Sequence, residues 1–148
     1  SFHVTGVQTC ALPIWLIPHV GNTLGFRVEW RGISIAYLSD HQQPYDGSFG
    51  ATQGALDLVE DADLVIHDAQ YTPEEFEQKN TWGHCTVQYA VWLAAKARAK
   101  RVALFHHDPT RHDDDVDALL AEARSSGCEQ GVDVIAAHEG LTLELHVP

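Results

Sequence analysis

Thr23-Leu24-Gly25-Phe26-Arg27-Val28-Glu29-Trp30-Arg31-Gly32-Ile33-Ser34-Ile35-Ala36-Tyr37-Leu38-Ser39-Asp40 is the stretch on which the fold class turns. Leu24, Phe26, Val28 and Trp30 fall on one face of an extended chain, and Arg27 and Glu29 on the other. That is the period-two signature of a half-buried strand. Arg31-Gly32 supplies a tight turn, after which Ile33, Ile35 and Tyr37 alternate with smaller residues. The reading is an antiparallel hairpin ending at Ser39-Asp40. Downstream, residues 40–50 are a loop rich in Pro, Gly, Gln and Asp, and 52–61 a helix that Gly54 weakens. A short strand at 64–67 leads to Thr72-Pro73-Glu74-Glu75, a capping box with proline at the first helical position. Thr86 caps a third helix with Val87, Ala90, Val91 and Ala94 on one face, and 101–105 is a strand. A helix from Asp113 buries Val116, Leu119, Leu120 and Ala123 and stops at Gly127; strands at 132–136 and 141–145 complete the chain. Strands and helices alternate without repeat or linker, as in a single α/β unit.

Composition narrows the function. The chain has 148 residues, 45% of them hydrophobic, enough for a core and too apolar for disorder. Acidic residues number 21 against 9 basic, a net charge of −12, so no basic stripe is available to displace counterions from a nucleic-acid backbone. A small-molecule substrate is expected rather than nucleic acid. No apolar run approaches the roughly 18 residues of a membrane span, and no membrane partner is expected. Cys85 and Cys128 give no disulfide framework and are expected to be reduced, in a cytoplasmic protein. Residues 4–14 are too short, and lack the basic start, for a signal peptide. They resemble the translation of a short-read sequencing adapter. Residues 1–14 are therefore expected to be non-native, and residues 15–148 to carry the fold.

The ten histidines are the excess to explain. His19 stands just before a strand, Asp40, His67 and His106 at or just after strand ends, and His84 just before a helix. Loops at strand ends in layered α/β proteins are where catalytic groups gather. Imidazole with carboxylate suits zinc, manganese and iron. No two of these residues make a compact ligand motif, so spacing alone leaves a metal site and dispersed structural histidines both open. His41, His112, His138 and His146 read as surface or packing residues, and the aspartates at 113–115 as a solvated helix start. Trp82, Tyr89 and Trp92 read as core or as a homodimer contact.

Five segments then stand in order: His19-Val20-Gly21-Asn22-Thr23-Leu24-Gly25-Phe26-Arg27-Val28-Glu29, Tyr37-Leu38-Ser39-Asp40, Leu64-Val65-Ile66-His67-Asp68-Ala69, Gly83-His84-Cys85-Thr86, and Leu104-Phe105-His106-His107-Asp108-Pro109. Together they resemble the metallo-β-lactamase-fold hydrolases of the phosphodiesterase and tRNA-processing branch. The resemblance implies an αββα sandwich, with this chain as its C-terminal half. It also implies that a phosphodiester or related ester is cleaved by a hydroxide held between two divalent metal ions, zinc or else manganese or iron. His19 would bind one ion and His106 the other. Asp40 would bridge both, and His84 would pass a proton to the leaving group. His107 adjoins His106, and because a strand reverses side-chain direction at each step, one of the pair points into the site. His67 and Asp68 are read as groups that orient ligands.

Two departures stand out. Cys85 occupies a position where tRNA-processing relatives have serine, leaving the helix cap to Thr86. The family's histidine-x-histidine-x-aspartate-histidine run, which lies upstream of His19, has no match here. The 148-residue chain is accordingly expected to be inactive alone, to bind zinc weakly and to expose apolar sheet surface. The alternative is a non-catalytic interaction domain on the same fold, against which the retained His19, Asp40 and His106 argue. An unrelated doubly wound α/β domain is disfavoured by the antiparallel hairpin.

Overall fold

The computed structural model describes residues 14–147, so all of the adapter-like segment except Ile14 lies outside the described residues. The elements run β1 (Ile14–Ile17), β2 (Thr23–Trp30), β3 (Ile33–Leu38), α1 (Gln53–Val59), β4 (Leu64–Asp68), α2 (Pro73–Lys79), α3 (Val87–Lys96), β5 (Arg101–Phe105), α4 (Asp113–Gln130) and β6 (Asp133–Ala136). The six strands form one sheet in chain order. β1, β2 and β3 pair antiparallel, whereas β3, β4, β5 and β6 are successively parallel across helical crossovers. The hairpin is as expected: Trp30 pairs with Ile33, and Arg31 and Gly32 take positive φ of 49° and 81°, as a two-residue type I′ turn requires. β1, four residues long and too short to show a period, joins the sheet unanticipated. No helix among the described residues is long and apolar enough to cross a membrane.

The helices α1, α3 and α4 cover one face. Ala36, Leu38, Val65, Val102, Leu104 and Val134 of the sheet pack there with Leu58, Val59, Val91, Leu93 and Ala123. The apolar stripe of β2 lies on the other face. Leu24 is 44% and Trp30 54% exposed, and Phe26, Val28, Ile14 and Leu16 extend the same uncovered surface. Toward the helices β2 turns Gly25 and Arg27 instead. A Cβ at Gly25 would lie 2.3 Å from Leu58 Cδ2, and Arg27 donates to the Leu58 and Glu60 carbonyls at the end of α1. The sequence periodicity is therefore correct, but the apolar side is not the side this chain covers. Exposed apolar sheet surface, expected above, is present.

Three details differ from expectation. α4 runs through Gly127 and ends at Gln130, where Gly131 takes a left-handed φ of 77°. Gly127 serves close packing rather than termination: a Cβ there would lie 2.4 Å from Val134 Cγ2 and 2.7 Å from the Val132 carbonyl. Residues 141–145 form no strand; the chain turns at Glu139-Gly140, where Leu141 N–H donates to His138 O. The aromatic group is also smaller than expected, with Tyr89 buried against Trp92 at 5.4 Å while Trp82 stands apart, 62% exposed. Gly127→Ala is expected to destabilise the protein by about 1–3 kcal/mol, read as a lower urea midpoint at unchanged slope.

Candidate metal centre

β1 runs antiparallel to β2 and β2 to β3, so β1, β3, β4 and β5 all point the same way. Their C-terminal ends therefore share one sheet edge. His19 and Asp40 each lie two residues beyond a strand end, Asp68 is the last residue of β4, and His106 follows β5 directly. His84 arrives from the loop before α3, whose N-cap is Thr86, accepting from Tyr89 N–H at 3.1 Å. Cys85 is sealed beneath with its thiol donating to Asp68 O. Burial pushes this thiol well above its ordinary pKa, so it is a packing group and not a thiolate ligand.

All four residues singled out by sequence, His19, Asp40, His84 and His106, come together, and Asp68 joins them. Candidate ligand atoms of His19, Asp40 and His84 lie within 4.8 Å of one another, as do those of Asp68, His84 and His106. His84 belongs to both groups, with ring centroids 5.7 Å from His19 and 4.8 Å from His106. Gly83, at φ 100°, makes room: a Cβ there would sit 2.5 Å from His19 Nε2.

Asp68 is buried. Its carboxylate accepts from His84 Nδ1–H at 2.7 Å and from the backbone N–H groups of His41 and Gln70 at 3.2 Å each. Holding Nδ1 in this way leaves His84 Nε2 as the atom presented outward. Burial alone would push the Asp68 carboxyl up, but the His106 and His84 imidazoles outweigh it and hold it below its ordinary range. His106 adopts a positive φ of 57°, uncommon for a residue with a Cβ. Its Nδ1 is buried without a hydrogen-bond partner, 3.8 Å from Asp68 Oδ2. His107 turns the other way and donates from Nε2 to Ala137 O at 3.2 Å. Of the adjacent pair, His106 is the one that faces the cluster.

Behind Asp68 lies a buried imidazole pair. His67 Nδ1–H donates to Asp68 O at 2.6 Å, which leaves His67 Nε2 to accept from His41 Nδ1–H at 2.9 Å. Burial drives the pKa of His41 down to about 3, so both rings are neutral near pH 7. The donor set thus fits a divalent cation: imidazole and carboxylate atoms converge, the cluster is half-buried, and within it His106 Nδ1 is buried without a partner. Sequence reading missed Gln42 and Gln43, both buried beside the cluster. Two glutamines in a polar loop carry no signal that separates them from solvated residues.

Comparison with known proteins identifies the family and the fold. Residues 2–107 match the family described as the β-lactamase superfamily domain, a span that includes the adapter-like stretch. The chain is 36% identical over 94 residues to ribonuclease Z of Sulfurisphaera tokodaii, covering 64% of this chain and 28% of that protein. It superposes on the metallo-β-lactamase fold protein YhfI from Bacillus subtilis with a TM-score of 0.69 at 18% identity, over 88% of this chain and 47% of that one. Against zinc-bound PqqB from Methylobacterium extorquens the TM-score is 0.63 at 18% identity, over 90% and 50% of the two chains. The chain therefore spans half or less of the length of each of these relatives. With most of its length matched by the family and its strands and helices arranged as in these structures, the chain belongs to the β-lactamase superfamily domain family and has the metallo-β-lactamase fold.

Proposed function

We propose that this chain provides the C-terminal half of a metal-dependent hydrolase acting on a phosphodiester or related ester. The observation that carries the reading is the convergence of imidazole and carboxylate donors from His19, Asp40, Asp68 and His106 around His84, with His106 Nδ1 buried and unpartnered among them. His19 and His106 would each hold one divalent ion, zinc foremost, and Asp40 would serve both. Bound ions would acidify a water and neutralise charge developing on the ester oxygens. The remaining chemistry belongs to the chain. Asp68 fixes the His84 ring and its tautomer, so a proton carried on Nε2 can be delivered to the departing oxygen. The buried carboxylate also stabilises the imidazolium before that transfer.

The uncovered apolar face of β1 and β2 takes a second sheet, completing the αββα sandwich, and the polypeptide bearing that sheet would supply the remaining ligands. Residues 15–148 alone are on this reading inactive and weak in metal binding, and their free Cys85 and Cys128 fit a cytoplasmic setting. The S. tokodaii relative is named a ribonuclease, which makes RNA a candidate substrate. Two observations favour a small diester. Lys79 and Arg111 near the centre are already paired, with Asp108 at 3.0 Å and Glu75 at 2.6 Å. A cavity of about 480 Å³ beside His19, lined in part by Pro18, Pro44, Tyr45 and Ala51, has room for a small ester.

Native DNA upstream of residue 15 is expected to encode the histidine-rich run. The protein read from it is expected to hydrolyse bis(p-nitrophenyl) phosphate with Zn²⁺ or Mn²⁺ and to stop on chelation. Asp40→Ala should abolish metal uptake and turnover, and His84→Ala should lower kcat about 10²–10⁴-fold. Full activity in Asp40→Ala removes the reading, and faster cleavage of a short RNA than of the small diester reverses the substrate preference. Stability should separate the two aspartates. Asp68→Ala strands buried donors and is expected to cost about 1–3 kcal/mol for each, whereas Asp40→Ala forfeits about 1 kcal/mol, its bond from Ser39, in denaturant titrations.

A further inference from the structure

The centre is assembled from separate loops, and one residue outside the donor set joins three of them, through its backbone N–H and its side chain. Gln42 is 6% exposed and lies two residues after Asp40. Its backbone N–H donates to Pro18 O at 2.7 Å, tying down the residue before His19. Its Oε1 accepts from Gly83 N–H at 2.8 Å, and its Nε2 donates to Asn80 O at 2.9 Å, to Gln43 O at 2.6 Å and, more weakly, to His84 O at 3.4 Å. The amide orientation is settled by its partners, because a flipped amide would aim its NH₂ at the Gly83 N–H and its oxygen at carbonyls. Gly83 is also the residue where a Cβ would sit 2.5 Å from His19 Nε2, so the Gln42–Gly83 bond holds the loop of His84 at a close approach to His19 that only glycine permits.

Resting on the metal-centre reading, the geometry points to Gln42 as the positioning residue that fixes His19, Asp40 and His84 relative to one another. The irregular segment 80–85 offers its buried backbone few other partners at this point, and unpaired buried N–H and C=O groups are not tolerated. Gln43 supports the same loop one step further on, with its Oε1 accepting from Thr86 N–H and Oγ1–H, but it does not reach Pro18 or Gly83. Outer residues of this kind commonly change metal affinity about 10–100-fold when replaced.

The test uses the 148-residue chain with Co²⁺ as a spectroscopic probe and ¹⁵N-labelled histidine rings. Gln42→Met keeps the volume and removes every side-chain bond. It is expected to move the His84 and His19 ring signals in the metal-free protein and to weaken Co²⁺ binding about 10–100-fold. Gly127→Ala, destabilised far from the centre, is expected to leave both readouts in place. Unchanged ring signals and affinity in Gln42→Met, or equal changes in Gly127→Ala, overturn the assignment. Should Gln42→Met fail to fold, Gln42→Glu, which keeps the acceptor for Gly83 and loses the donors, carries the same comparison and is expected to displace the His84 signals. If the unaltered chain takes up no Co²⁺, the metal-centre reading fails, while the metal-free ring signals still decide the role of Gln42.

Discussion

A carboxylate buried at the end of a central strand must be satisfied by hydrogen bonds, and the centre is organised around that requirement at Asp68. An uncompensated buried charge costs several kcal/mol. The donors that relieve it come from three directions: His41 N–H beyond β3, Gln70 N–H in the chain leaving β4, and His84 from the loop before α3. Meeting that demand brings the Asp40 loop and the His84 loop onto the same strand end. The cluster of imidazole and carboxylate donors is thus partly a consequence of solvating one buried charge with protein groups.

The same economy explains the buried histidines behind it. His41 and His67 occupy space under the centre as neutral rings, each with an Nδ1–H that finds an acceptor. Cys85 fits this dry environment as a small protonated thiol donating to the Asp68 carbonyl. A serine hydroxyl could donate to the same carbonyl, so the departure at Cys85 leaves the helix cap at Thr86 undisturbed.

Much of this was legible beforehand because the signals are local. Period-two alternation, the Arg31-Gly32 turn and the capping box at Thr72–Glu75 are written in consecutive residues and appear as read. His19, Asp40, His84 and His106 could be singled out because five ordered motifs resemble a hydrolase family, whereas their places at strand and helix ends alone left dispersed structural histidines open. The role of Gly127 was not legible, because a glycine demanded by a neighbouring strand looks the same in sequence as one that ends a helix. Nor could residues distinguish His106 from His107, since the positive φ that aims His106 inward depends on the packed surroundings.

What the sequence determined by itself is the run of elements from β2 to β6 and the faces of the strands, set by local periodicity, and the imidazole and carboxylate groups at the strand and helix ends, set by side-chain chemistry. Tertiary structure decided which face of the sheet is covered. It also decided that Asp68 stands among the converging donors and that Gln42 bonds to the loops that carry them. Those outcomes depend on the parallel alignment of β1, β3, β4 and β5, which brings residues far apart in the chain to one edge, where buried polar groups must find partners among whatever the fold delivers.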